Sequence, residues 1–149
     1  MEERIAIMKN LKKLTATVFW GLIGIFFIIL GQFFIPALEN VFKGPTLSLA
    51  PMIVFCLLGL ALLVLSLREK VEKKFQGFLI LTGASATGFF AFVILHNAFY
   101  ALGLIIGQVF FLSYLIESLQ IASFLIAIFV CPIAFLVGVI GSIVYRRNL

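Results

Sequence analysis

Charged and chemically reactive residues are scarce in this 149-residue chain. It has six acidic residues, all of them glutamate, together with two cysteines, four prolines and a single histidine. The motifs G-x-G-x-x-G, P-loop, C-x-x-C, H-E-x-x-H and G-x-S-x-G do not occur. These absences argue against the common nucleotide, zinc and hydrolase sites. We therefore predict no enzymatic activity, no cofactor and no metal.

Apolar residues dominate instead, at 64% of the chain with 18 Phe and a mean hydropathy of +1.27. A soluble domain of this size cannot bury so many of them. In lipid, every backbone polar group must be bonded internally, so long apolar runs become helices. The sequence predicts an all-α integral membrane protein with one transmembrane domain over 1–149. Its net charge of +5 sits in basic clusters beside apolar runs, which indicates membrane lipid, and no nucleic acid, as partner.

The stretch 75–116 sets the topology, because its 42 residues include no charged side chain. About 20 apolar residues cross a bilayer as a helix. The stretch is therefore either one overlong span followed by a surface segment, or two spans joined by a turn at 95–98. With four spans in the protein, 10 of the 11 Lys and Arg residues share one side, and with five spans only eight do. The positive-inside rule favours four spans.

We therefore predict a four-helix transmembrane bundle with both termini on the cytoplasmic side. The spans are expected at about 14–36, 46–67, 75–106 and 120–145. The third helix would be extended, the segment 107–119 would lie on the outer surface, and the charged connector 68–74 would lie in water. Pro132 should bend the fourth helix near Ile128, because a proline removes one backbone hydrogen bond and its ring clashes with the carbonyl four residues earlier.

The histidine marks the candidate site. At about 1.5 Å per residue, His96 lies some 30 Å along its span, at the outer interface, and Gln32 reaches a similar depth. The residues predicted to form a polar ligand-binding site there are His96, Asn97, Tyr100, Gln32 and Glu117. The alternative is a histidine that only hydrogen-bonds at the interface. An enzyme acting on a lipid would need a base beside His96, and Glu117 is the candidate.

Small residues recur at helical spacing in several predicted spans, and such rows let neighbouring backbones approach each other. The residues expected at these helix contacts are Gly21, Gly24, Gly83, Ala84, Gly88, Ala134, Gly138 and Ser142. Cys56 and Cys131 each lie within an apolar run, without a second ligand at metal spacing, and are expected to be packing residues.

Two blocks resemble segments of small multi-span prokaryotic membrane proteins of unassigned function. They are LILTGASATGFFAFVILHNAFYAL at 79–102 and FVCPIAFLVGVIGSIVY at 129–145, with GASA and LHN as the distinctive elements. The resemblance implies a bacterial or archaeal cytoplasmic membrane, and it assigns a role to no individual residue.

For function, the sequence favours a non-enzymatic membrane protein. It would be an accessory or interaction subunit, or a lipid- or ligand-binding module with its site near His96. A partner membrane protein or a homo-oligomer is expected in the first case. The alternative is a small channel or transporter formed by oligomerisation. A self-sufficient ion-coupled transporter is disfavoured, because no carboxylate lies in the interior of a predicted span.

Overall fold

The computed structural model describes residues 2–36, 44–69, 71–106 and 110–147, which are helical apart from short connections. The helices in these ranges are α1 (Glu2–Phe34), α2 (Pro45–Arg68), α3 (Lys73–Ile106), α4 (Phe110–Leu125) and α5 (Cys131–Arg147). Four segments in this part of the chain are long and apolar enough to cross a membrane: Lys9–Gln32, Leu49–Arg68, Lys73–Ile105 and Phe111–Arg146. The prediction of an all-α protein with four such helices is confirmed.

The last of these segments contains α4, a π-helical turn over Ile126–Val130, and α5. Within the π turn the Cys131 amide donates to the Ile126 carbonyl, five residues back. Pro132 explains this local widening, because its ring cannot be accommodated by regular α-helical geometry one turn earlier. The sequence predicts a bend near Ile128, and the π turn includes this residue.

The helix α3 lies at the centre, packed against α2, α4 and α5, whereas α1 packs chiefly against α2. The buried core joins four helices and comprises Val18, Phe19, Leu22, Phe26, Ile29, Phe55, Leu62, Leu65, Leu79, Ala86, Phe135 and Val139. Phe135 lies at its middle, with ring centroids 4.7 Å from Phe26 and 5.2 Å from Phe55. These rings connect α1 to α5 across the bundle.

Small residues mark the closest helix contacts of α3. A Cβ added to Gly83 would lie 2.8 Å from the Gly59 carbonyl oxygen, and one added to Gly138 would lie 2.8 Å from the Thr82 backbone nitrogen. Neither site has room for a side chain. The Thr82 and Ser85 hydroxyls donate to carbonyls one turn earlier on α3 itself, so these buried polar groups are satisfied.

The other small residues predicted at helix contacts differ in their surroundings. Ser142 is buried, whereas Gly21, Gly88 and Ala134 are half-buried. Gly24 and Ala84 are exposed, because their helix faces turn outward, and a Cβ added to Gly24 meets no atom within 4 Å. Gly59 and Gly141 are tightly packed although the sequence analysis did not single them out. A Cβ at Gly141 would overlap the Phe78 ring.

The helix α3 extends beyond the N-terminal end of α2. Phe55 on α2 and Phe89 on α3 are in ring contact. From Phe55, α2 extends 10 residues to its start at Pro45, and from Phe89, α3 extends 17 residues to its end at Ile106. The difference corresponds to about 10 Å of helix. We call residues 99–106 and 110–117 the two-helix extension. Residues 107–109 of the predicted outer segment lie outside the described ranges. Residues 110–119 are helical, and 111–119 form the first part of the fourth apolar segment.

Candidate functional site

The start of α1, the connector 68–74 and the end of α5 carry basic residues and meet at one end of the bundle. We call it the basic end. A groove of about 720 Å³ lies there, between α1 on one side and α3 and α5 on the other. We call it the basal groove. On the α1 side it is lined by Lys12, Thr15, Ala16, Phe19 and Trp20. The connector and α3 contribute Glu69, Val71, Glu72, Phe75 and Leu79, and α5 contributes Ser142, Ile143 and Arg146.

The Glu69 carboxylate is buried in this groove, with 9% of the residue exposed. This differs from the expectation that the whole connector 68–74 lies in water. The Thr15 hydroxyl donates to Glu69 Oε1 at 2.8 Å and so compensates part of the cost of burying a carboxylate. The Glu69 amide donates to the Leu65 carbonyl at 3.0 Å, which holds the residue against the end of α2. The contact fixes the start of the connector against α1.

A second polar contact joins the helices at this end. The Gln76 side-chain amide donates to the Ser66 carbonyl at 2.8 Å, across from α3 to α2. Ser66 is fully buried, and its own hydroxyl donates to the Leu63 carbonyl. Hydrogen bonds as well as apolar packing thus hold α2 and α3 together at the basic end.

Other polar groups of the groove remain available to a ligand. Lys12, Glu72 and Arg146 are exposed, and the Glu72 carboxylate lies beside the Tyr145 hydroxyl. Ser142 is 2% exposed, and its Oγ has no hydrogen-bond partner among the described residues. A buried hydroxyl without a partner is costly unless water or a ligand bonds to it. Ser142 therefore marks a polar position inside an otherwise apolar wall.

A second cavity, of about 370 Å³, lies farther along the crevice between α1 and α5. We call it the apolar cavity. Its lining includes Phe26, Leu30, Phe34, Phe89, Cys131 and Phe135. Its Cys131 thiol is free, as is the Cys56 thiol elsewhere, so the two cysteines form no disulfide. The walls suit hydrocarbon and offer little to a polar ligand.

The predicted site residue His96 makes a contact between helices. Its Nδ1 lies 3.1 Å from the Gln120 carbonyl oxygen on α4, to which it donates in the tautomer protonated at Nδ1. The ring also packs against Phe124, with centroids 5.2 Å apart. These contacts join α3 to α4. The ligand site near His96 and the histidine that only hydrogen-bonds at the interface both stay predictions.

The other four predicted site residues are dispersed. The Asn97 amide donates to the Val93 carbonyl of its own helix, and Tyr100 and Glu117 are exposed. Gln32 lies on α1, and its Nε2 is buried with no partner among the described residues. No hydrogen bond or ring contact within the described ranges joins any of these four side chains to His96. Within the same ranges, no three His, Cys, Asp or Glu residues are grouped as a metal site would require.

Comparisons with known protein families, curated proteins and solved structures give no match to this chain. The resemblance of 79–102 and 129–145 to prokaryotic membrane proteins therefore stays an expectation. What the protein does must be inferred from the chemistry of the basal groove and the apolar cavity.

Proposed function

We propose that this chain is a multi-pass protein of the prokaryotic cytoplasmic membrane that binds a membrane lipid and catalyses no reaction. Its binding site is the basal groove. The observation that carries the proposal is the coexistence in one groove of the cations Lys12 and Arg146, the buried unpartnered Ser142 hydroxyl, and apolar walls. A phospholipid presents the complementary features, a phosphate joined directly to hydrocarbon.

The size and position of the groove agree with such a ligand. Its volume of about 720 Å³ lies within the range of small-molecule sites, roughly 300 to 1,000 Å³. Trp20, at 55% exposure, stands at its wall, and tryptophan is enriched at the level of lipid headgroups. A lipid headgroup in the groove would therefore lie at a depth natural to it.

The charge distribution supports an orientation with the basal groove on the cytoplasmic side. Four crossings return a chain to the side on which it began, and the groove collects side chains from α1, the connector and α5. Basic residues concentrate on the cytoplasmic side of membrane proteins. Both termini would then be cytoplasmic. A reporter fused after Leu149 and one fused before Met1 should both be active in the cytoplasm.

The proposed site differs from the one predicted near His96. The outer-side site stays a prediction, as do the accessory subunit and the oligomeric channel. A channel requires a polar path along the bundle, but the hydroxyls of Thr82 and Ser85 bond back to their own helix. The basal groove, by contrast, offers a cation pair and an unbonded hydroxyl to a ligand.

The test is lipid retention during purification of the full chain in mild detergent, measured by native mass spectrometry. We expect the wild type to retain a phospholipid and Ala16→Phe to lose it, because Ala16 lines the groove and a phenyl ring would fill it. The matched control is Ala91→Phe, at an exposed position of α3 outside the groove. Wild-type protein without lipid, or equal retention by Ala16→Phe, would contradict the proposal.

A further inference from the structure

We infer that the lipid in the basal groove carries a primary ammonium group beside its phosphate, as phosphatidylethanolamine does. This rests on the lipid-binding function proposed above and names the headgroup class. It follows from the charges that face the groove. Among the described residues these are two cations, Lys12 and Arg146, and two carboxylates, Glu69 and Glu72.

The balance of these charges disfavours a purely anionic headgroup. Its phosphate would be attracted to the two cations, but its net negative charge would also meet the two carboxylates. Repulsion between like charges is strengthened where protein and lipid lower the local dielectric constant. A zwitterionic headgroup can place its phosphate near the two cations and its ammonium near the two carboxylates. The groove thus selects for both signs, although the whole chain carries a net charge of +5.

The carboxylates also distinguish between zwitterionic headgroups. A primary ammonium has three N–H donors, and hydrogen bonds from an ammonium to a carboxylate are charge-assisted. A trimethylammonium group has no N–H and interacts only through its charge. Glu69 is held by the Thr15 hydroxyl at 2.8 Å, so this acceptor is oriented before a ligand arrives. We therefore expect an aminophospholipid to bind more tightly than a choline phospholipid.

The remaining polar groups fit the phosphate. Ser142 and Arg146 are four residues apart on α5 and so lie on the same helix face. The unpartnered Ser142 hydroxyl can donate to a phosphate oxygen beside the guanidinium group. Phe19 and Trp20, whose rings meet at 5.8 Å, supply apolar wall for the first part of an acyl chain.

Trp20 provides the measurement, because it is the only tryptophan and it lines the groove. The full chain is reconstituted in phosphatidylcholine bilayers that contain a fraction of brominated phosphatidylethanolamine, phosphatidylglycerol or phosphatidylcholine. Bromine quenches tryptophan fluorescence on contact, so the quenching gives relative association constants at the groove. We expect the constant for phosphatidylethanolamine to exceed the other two by about fivefold.

Substitutions distinguish the binding of the ammonium group from the binding of the phosphate. Glu69→Gln and Glu72→Gln are each expected to reduce the preference for phosphatidylethanolamine over phosphatidylcholine, and Glu72→Asp to keep part of it. Lys12→Gln should weaken the association of all three phospholipids. Its matched control, Lys13→Gln, changes the next exposed lysine, which does not line the groove, and should leave the three constants unchanged.

Equal quenching by the three lipids, or a preference for phosphatidylglycerol, overturns the headgroup assignment. So does a preference for phosphatidylethanolamine that persists unchanged in both Glu69→Gln and Glu72→Gln. If Ala16→Phe still loses the retained lipid, these outcomes contradict the headgroup assignment but not the proposed lipid-binding function. A wild type that retains no lipid removes both the headgroup assignment and the proposed function.

Discussion

The first half of α3 includes two lysines and the second half has no charged residue, yet the first half is the more deeply buried. In the first half, Leu79, Thr82 and Ala86 are almost fully buried, with exposures of 2%, 0% and 0%. In the second half, every residue from 100 to 105 is exposed. In the first half, Gly83 meets α2 and Thr82 meets α5, whereas Gly103 in the second half meets α4.

The difference shows that apolar character alone does not bury a helix of this kind. In lipid, hydrocarbon surrounds every exposed face, so helices associate through close van der Waals contact and hydrogen bonds. Gly83 and Thr82 meet Gly59 on α2 and Gly138 on α5, where small residues face each other. Gly103 in the second half faces the larger Ile116, and a Cβ there would still have 3.7 Å of space.

The largest expected effect comes from filling one of the close contacts. Gly138→Leu should destabilise the bundle by about 2 to 3 kcal/mol, because the new side chain would meet the backbone of α3 at Thr82 and Phe78. The measurement is unfolding of the purified protein by sodium dodecyl sulfate. The matched control is Gly24→Leu, which enters open space and should not lower stability. Equal losses of stability in both variants would show that α3 is not held in place by small residues packed against small residues on the neighbouring helices.

A smaller effect is expected at the basic end, where a hydrogen bond joins α1 to the connector that follows α2. Thr15→Val leaves the buried Glu69 carboxylate without its 2.8 Å hydrogen bond and should cost about 1 to 3 kcal/mol. Thr17→Val is the matched control, because the exposed Thr17 hydroxyl donates only to the Lys13 carbonyl of its own helix. Its effect should stay within about 0.5 kcal/mol. The same unfolding assay compares the two, and a cost of Thr15→Val no larger than that of Thr17→Val would remove the structural role assigned to Glu69.

The helices themselves could be predicted because the signals that define them are local. Charge-free runs indicate apolar helices, and the positive-inside rule favours four spans over five. Pro132 indicates a bend near Ile128, where the structure has a π turn. Helix faces were harder to predict. Gly24 and Ala84 belong to small-residue rows but are exposed, while Gly59 has the tightest surroundings on α2. A small residue packs closely only where the neighbouring helix also offers one, and that depends on the relative rotation of two helices.

The groove could be predicted only in part. The charge pattern brings the basic segments to one end, as the groove lining requires. It does not indicate that Thr15 and Glu69, which are 54 residues apart, form a buried hydrogen bond. A glutamate that directly follows an apolar helix normally stays in water, so its sequence context argued for exposure. The emphasis on His96 came from its rarity, whereas its contacts are those of a residue that joins two helices.

The smallest effect is expected in the second half of α3, where His96 makes a polar contact with α4. His96→Phe removes the hydrogen bond to the Gln120 carbonyl but keeps a ring against Phe124. Hydrogen bonds between membrane helices average about 0.6 kcal/mol, so global stability should barely change. Hydrogen exchange should instead increase locally in α4, because α4 packs chiefly against α3. Asn97→Ala, which loses only a bond to its own helix, should leave exchange in α4 unchanged. Unchanged exchange in His96→Phe would mean that apolar contacts alone, such as Gly103 against Ile116, hold the two-helix extension together.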